Sequence, residues 1–481
     1  MTTIKVSQFG PIVRGQVELK PLTVFVGPNN SGKSYISVLL YAIMRSFFYT
    51  SRSLRFGRRY WVPGEFVAPE IILRGDFANR LREAVKPYLS DAQRKEVHVP
   101  IVDLPDTIRD SFLQAVKSYG EHTAAQLTQE IHRCWATDIP ELVRKSTAGP
   151  RRRTFKISFE QTKPKLYLEI KSVGEKLKVS RFDVEPSDLS ITVNRSLFIR
   201  FRRENELWLY EILYSLFRQS VVTSLFLPYY LPAARSGILQ NHKALASSAV
   251  DRASMVGIME FPEIPLFPGV VADFIRNIIE LQKRKPQELK QAADLLENEV
   301  MRGVIDIEES KKEYPEIYYV ARVGKFELHR TSSMVSELAP VALYLKYVIN
   351  PGNILIIEEP ESHLHPDNQR RMARVIARLV RSNVRVLLTT HSDFFVEQLN
   401  NFIRLAKGSP DERRQHQYSS EDYLEPGEVG AYLFDLNEQA QGTIIKKLPV
   451  TEDHGISADE FAKVNESLYD ETVKLERITE K

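Results

Sequence analysis

A nearly all-apolar run, Leu22 to Val26, leads into Gly27-Pro28-Asn29-Asn30-Ser31-Gly32-Lys33-Ser34, which opens a helical stretch from Lys33 to about Phe48. The spacing is GxxxxGK[ST], and strand, loop and helix come in the order that phosphate binding requires. Glycines let backbone N–H groups turn inward around a phosphate. The helix N-terminus adds about half a positive charge, and the lysine reaches the β- and γ-phosphates. The candidate nucleotide-binding residues are Gly27, Asn29, Asn30, Ser31, Gly32, Lys33, Ser34 and the adjacent Tyr35. ATP is the expected nucleotide and Mg²⁺ the expected metal, with the Ser34 hydroxyl as a ligand.

A phosphate-cleaving site also needs anionic partners for the metal and the attacking water. Asn353-Ile354-Leu355-Ile356-Ile357-Glu358-Glu359-Pro360 supplies them, four apolar residues followed by two acids. Glu358 is placed on the Mg²⁺ shell, through water, and Glu359 is the group that polarises the attacking water. A third apolar strand, Val384 to Leu388, ends in Thr389-Thr390-His391-Ser392. In this order His391 reads as a sensor that hydrogen-bonds a γ-phosphate oxygen in the transition state.

These three elements, with Glu359-Pro360-Glu361-Ser362-His363-Leu364-His365-Pro366 between them, resemble the ABC-type ATPases of the SMC, RecF and OLD-like group of prokaryotic EPExHLHP ATPases. The resemblance implies an α/β fold, a P-loop NTPase of the ABC-ATPase head type with a mixed β-sheet flanked by helices and a large α+β insertion. It makes Ser362 to His365 a D-loop that approaches the nucleotide of a second subunit; His363 and His365 read equally well as capping or packing residues. Thr331-Ser332-Ser333-Met334-Val335-Ser336-Glu337-Leu338, ahead of a helical run from Leu338 to Val348, resembles a signature loop whose Ser332 or Ser333 would bind phosphate in trans. Met334 stands where the group has glycine and would crowd that loop, and Glu358 stands where many relatives have aspartate. Phe226 to Ser236, an apolar strand ending in Pro232-Ala233-Ala234-Arg235-Ser236, is a further match. Arg235 there reads either as close to the nucleotide or D-loop, or as a structural ion pair.

The elements that must position this chemistry lie far apart in sequence. At 481 residues the chain is about three typical domains long, and three segments are expected. Residues 1–50 and 225–481 would be the two parts of the ATPase head, and residues 51–224 an insertion. Within the insertion, Phe77 to Tyr88, Thr107 to Tyr119 and Ala124 to Trp135 show helical spacing. Phe155 to Glu160, Lys165 to Ile170, Lys176 to Phe182 and Leu189 to Val193 alternate as an antiparallel meander, and Leu207 to Phe226 reads as helix then strand. After His391 come a helix from Asp393 to about Ala406, strands near Val429 to Asp435 and Gly442 to Leu448, and a last helix near Ser457.

Composition narrows the function classes. With 66 basic and 62 acidic residues the formal charge is +4, too small to announce nucleic acid. Three basic clusters lie in the insertion: Arg52, Arg55, Arg58 and Arg59 beside Tyr60 and Trp61; Arg144, Lys145, Arg151, Arg152 and Arg153; and Arg195, Arg200, Arg202 and Arg203. They suit DNA or RNA backbone contact, a solvated loop or an acidic partner alike. The one cysteine, Cys134, leaves no disulfide or zinc hook to form. No apolar run approaches the roughly 20 residues of a membrane span, so a cytoplasmic chain with no membrane partner is expected.

The expected function is an ATP-hydrolysing subunit that forms a homodimer or higher homo-oligomer around nucleotide and controls a separate effector protein, a nuclease. The resemblance points to ATPase subunits of two-component anti-phage systems such as Septu or PARIS. A RecF-like ATP-dependent DNA clamp and a nucleotide-gated scaffold with very slow turnover are the alternatives.

Overall fold

The computed structural model describes residues 2–56, 75–89, 91–93, 95–145, 153–195, 226–241, 267–281, 288–308, 315–457 and 466–475, with Ile212 and Leu216 besides. Leu22–Val26 is buried at all five positions, as a strand covered on both faces must be. Parallel neighbours flank it on both sides, Arg385–Thr390 on one and Val429–Asn437 on the other. Beyond Arg385–Thr390 the sheet continues in parallel through Ile354–Glu358 to Pro228–Leu231. Gly442–Leu448 adds an antiparallel strand beside Val429–Asn437. The register sets Thr390 opposite Val26, Glu358 opposite Thr389 and Ile357 opposite Leu231. Four strands therefore end together, and the carboxyl edge of a parallel sheet is where such folds bind ligands.

Helices bury this sheet. Ser333–Tyr347, Pro366–Arg381 and Asp393–Arg404 contribute to one core that includes Leu22, Val24, Leu355, Ile357, Val386 and Leu388. Each starts with a capped turn: the Ser332 side chain accepts from Val335 N–H, His365 from Asp367 N–H and Ser392 from Phe395 N–H. Caps of this kind satisfy donors that a helix leaves open, at about 1 kcal/mol for each of the two serines. Pro366 sits in the first turn, where its missing N–H costs nothing. A small antiparallel sheet of Val304–Glu308, Glu316–Ala321 and Gly324–Glu327, with no counterpart in the sequence reading, precedes the Ser333 helix.

The chain divides into two units, residues 1–18 with 39–227 and residues 19–38 with 228–481. The first boundary thus differs from the expected one at residue 50. The hairpin Thr2–Phe9 and Ile12–Glu18 groups with the meander because Thr2 to Ser7 pair antiparallel with Lys156 to Gln161. Lys165–Val173 and Lys176–Val184 complete that sheet.

Two expectations for the insertion are corrected. Residues 106 to 135 form one helix, Asp106–Trp135, with no break after Tyr119. Gly120 lowers local helix propensity, but this stretch of helix lies against Leu168 and Phe182 of the meander, and packing outweighs propensity. Ser190–Val193 is not the fourth strand of the meander: after the turn Pro186–Asp188 it pairs with Val97–Pro100 instead. Most of Leu207 to Phe226 lies outside the described residues. Among the described residues no helix is long and apolar enough to cross a membrane.

Candidate functional site

All the residues expected to do chemistry fall in the unit made of 19–38 and 228–481. The loop after Leu22–Val26 turns through φ +140° at Gly27, +59° at Asn30 and +93° at Gly32. A side chain at Gly27 would set its Cβ 2.8 Å from the Phe434 carbonyl oxygen, so glycine is required there by both conformation and space. Ser31 is fully buried, and Ser34 and Tyr35 follow on the first turn of the helix Lys33–Phe56.

Lys33 is 6% exposed and donates from Nζ to the carbonyls of Gly27 at 2.9 Å and Pro28 at 2.8 Å. Burial lowers its ammonium from the ordinary 10.5 to about 8, against the opposing pull of Glu359, Glu361 and Glu358. Those three acids sit on the strand end and the turn that follows it.

Glu358 and Glu359 are held quite differently. The buried Glu358 carboxylate accepts from Tyr230 Oη at 2.7 Å and from Ala233 N–H at 3.0 Å. Glutamate has the reach for both contacts, which accounts for the longer acid at this position. Glu359 takes a left-handed backbone conformation, φ 43°, an uncommon one for a residue with a Cβ. Its N–H donates to the Thr389 carbonyl at 3.0 Å and its Oε2 accepts from Ser362 Oγ at 3.0 Å. Its Oε1 lies 3.7 Å from Nε2 of His391.

Glu361 was not singled out from the sequence, yet it anchors the end of the strand Arg385–Thr390. Its Oε1 accepts from Thr390 Oγ1 at 2.6 Å and from His391 N–H at 2.9 Å. Burial pushes its carboxyl up from the usual range. His391 is held down, first by burial and then by the Lys33 charge, with Glu359 acting the other way. A neutral imidazole near pH 7 can donate one N–H to a phosphate oxygen.

His363 is exposed with φ 60°, whereas His365 serves as a helix cap. Ser332 and Ser333 are both exposed, and Ser332 caps its own helix. The Met334 side chain is half-buried against the core, and its sulfur meets Asn368 Nδ2 at 3.4 Å. Arg235 is fully buried, its guanidinium surrounded by carbonyls of Pro232, Glu337, Glu358 and Glu359.

The donor set suits Mg²⁺. Ser34 and Glu358 offer hard oxygen, and Mg²⁺ completes its octahedron with water and phosphate rather than a protein cage. Among the described residues no group of three or more His, Cys, Asp or Glu is arranged to hold a metal ion.

Of the basic residues noted in the insertion, Arg144 donates to the Pro11 carbonyl, Lys145 pairs with Glu141 and Arg195 is exposed. Arg58, Arg59, Tyr60, Trp61, Arg151, Arg152, Arg200, Arg202 and Arg203 lie outside the described residues, as do the side chains of Arg52 and Arg55.

Residues 270–396 match the AAA ATPase domain family. No curated protein matches the chain. Solved structures similar to it include three SMC heads. An SMC head bound to the C-winged helix domain of ScpA shares 10% identity at a TM-score of 0.38, over 94% of this chain and 98% of its own. The SMC head domain from Thermotoga maritima shares 12% at 0.33, over 93% and 98%. An Smc head domain with an extended coiled coil bound to the C-terminal domain of ScpA, derived from Pyrococcus furiosus, shares 12% at 0.37, over 98% and 100%.

Proposed function

We propose that this chain, an SMC/RecF-like ABC-type ATPase, binds ATP at residues 27–35 and hydrolyses it, and that a second copy closes over the nucleotide through the segment starting at Ser332. The observation that carries this reading is the convergence of Lys33, Glu359 and His391 at the carboxyl ends of three adjacent parallel strands. Glu359 takes a proton from the attacking water as that oxygen bonds to the γ-phosphorus and the bond to the β,γ-bridging oxygen breaks. Lys33 and the His391 N–H face the charge that builds on the phosphoryl oxygens. Bound Mg²⁺, held by Ser34 and by Glu358 through water, would neutralise phosphate charge.

Hydrolysis in such a site resets a conformational switch, so the product that matters is a change of grip on a partner. We assign the partner as a separate effector protein, a nuclease, in a prokaryotic defence or DNA-processing complex. The test is purification with neighbouring genes co-expressed, then mass-resolved sizing with and without ATP and Mg²⁺, with Lys33→Ala as control. A co-eluting protein and a nucleotide-dependent dimer, both absent or altered in Lys33→Ala, are expected. A chain that stays monomeric and alone in every condition overturns the assignment.

A further inference from the structure

Arg235 has zero exposure, and its guanidinium meets five acceptor atoms, four of them through hydrogen bonds. Nε donates to the Glu337 carbonyl at 3.1 Å. Nη1 donates to the carbonyls of Pro232 at 3.3 Å and Glu358 at 2.6 Å, and Nη2 to that of Glu359 at 3.2 Å. The fifth partner is the Glu337 carboxylate, whose Oε1 lies 2.9 Å from Nη2 without the alignment of a hydrogen bond. Only a planar guanidinium can serve five acceptors at once, and lysine would bring three donors from a single point.

These acceptors belong to two elements with different duties. Glu337 is on the helix Ser333–Tyr347, whose first turn carries the exposed serines. Glu358 and Glu359 are the end of the carboxylate strand. The helix at 235–241 adds a second link, from Gln240 Nε2 to Ser336 Oγ at 3.2 Å. The same chain segment grips the Glu358 side chain through Tyr230 and Ala233. Residues 230 to 240 therefore touch both elements through hydrogen bonds of fixed direction, and two of the four carbonyls that Arg235 holds, those of Glu358 and Glu359, flank the left-handed turn at Glu359.

We infer that Arg235 is a positioning residue that couples the Ser333–Tyr347 helix to Glu359, so that engagement of that helix by a second copy's nucleotide sets the catalytic carboxylate. The inference deepens the ATPase reading and rests on it for its activity arm. Movement of the helix N-terminus pulls on Glu337, the guanidinium transmits the displacement to the carbonyls of Glu358 and Glu359, and the attacking water's base shifts with them. A misplacement of about 1 Å at a reacting centre costs on the order of a hundredfold in rate, so a small displacement suffices.

The single variant Arg235→Ala would leave Glu337 buried without its counter-charge and would confound coupling with stability. The informative variant is Arg235→Met with Glu337→Met, since replacing both members of a buried ion pair by apolar side chains is often neutral for folding. Three readouts on the full-length chain decide the matter: thermal melting, ATP affinity with ATPase kcat and KM, and hydrogen exchange of the peptide covering 359–365 without nucleotide. Coupling predicts melting and affinity close to wild type, kcat lowered at least about tenfold with KM little changed, and faster exchange at 359–365 with 385–390 unaltered. Arg235→Lys should fall between wild type and the double variant in kcat. Unchanged exchange at 359–365 overturns the inference, whatever the activity. If wild type and Lys33→Ala hydrolyse ATP equally, the ATPase reading fails, and the exchange arm still decides whether Arg235 holds the Glu359 turn.

Discussion

Oε1 of Glu359 and Nε2 of His391 lie 3.7 Å apart, each at the end of one of two adjacent parallel strands. The gap is longer than a hydrogen bond, and a water or phosphate oxygen can meet both groups at once. Replacing Glu359 by Gln keeps the shape and removes the base. Hydrolysis should fall by about a hundredfold or more, while ATP binding persists and the nucleotide-bound dimer accumulates. Stopped-flow binding together with phosphate release measures both. Turnover at wild-type rate in Glu359→Gln would dismiss this carboxylate as the base.

Lys33 gives a pH dependence with two opposite signs. Phosphate binding needs its ammonium form, which the free protein loses as pH rises through about 8. ATP affinity and kcat/KM should therefore decline above that pH, while kcat, measured with phosphate already beside the ammonium, should hold to higher pH. Stability runs the other way. Between about 8 and 10.5 the unfolded chain binds more protons at this lysine than the folded one, so the Lys33 contribution rises with pH, and its burial penalty is complete only below about 8. Calorimetric titration of ATP and thermal melting over the same pH series separate the two. An affinity that stays flat from about pH 7 to 10 would contradict a buried, phosphate-binding ammonium.

Gly27 joins the phosphate loop to the neighbouring strand Val429–Asn437. At φ +140° and with a Cβ position 2.8 Å from the Phe434 carbonyl, alanine meets backbone that has no easy way to retreat. Gly27→Ala should cost about 1 to 3 kcal/mol and weaken ATP binding, because the loop must shift where the phosphate sits. Gly174→Ala is a useful comparison: it also has positive φ but open space around it, so it should carry the conformational cost without any loss of nucleotide. Chemical unfolding and ATP titration on both variants give the answer, and equal losses of affinity would show that crowding at Phe434 is irrelevant.

What could be read from the sequence follows from what is local. The loop at 27–34, the carboxylates at 358 and 359 and the histidine at 391 are each a short motif at a strand end, and the register of three parallel strands brings them to one edge. Arg235 was visible as a candidate, but its surroundings were not, because its partners Glu337, Glu358 and Glu359 lie more than a hundred residues away. Glu361 was passed over as part of a motif, and its role depends on Thr390 and His391 arriving beside it. Helical periodicity found the Asp106–Trp135 helix as two pieces because Gly120 weakens the local signal, and only contacts with Leu168 and Phe182 reveal what the position packs against. The strand Ser190–Val193 alternated correctly, yet its alternation says nothing about which neighbour it joins.

Asp422 tests the scaffold apart from the site. Its carboxylate is 2% exposed and takes Arg378 Nε at 2.7 Å, Arg374 Nε at 3.5 Å and the Ser419 N–H at 2.8 Å. Arg374 also lies over the Tyr418 ring and pairs with Glu299, while Arg378 reaches Ser419 Oγ. The helix Pro366–Arg381, which carries both arginines, starts immediately after the turn that holds Glu361 and His363. Removing this buried acid takes the shared carboxylate from two arginines, which keep Glu299 and Ser419 Oγ, and leaves the Ser419 N–H without its acceptor, at a cost of about 3 kcal/mol. Asp422→Ala should accordingly melt several degrees lower, yet bind ATP normally at a temperature where it remains folded, because the helix is also secured by its buried face of Met372, Val375, Ile376 and Leu379. Thermal melting gives the first quantity and ATP titration at low temperature the second. A loss of ATP affinity in the folded variant would mean that the 418–422 loop takes part in setting the nucleotide site through this helix.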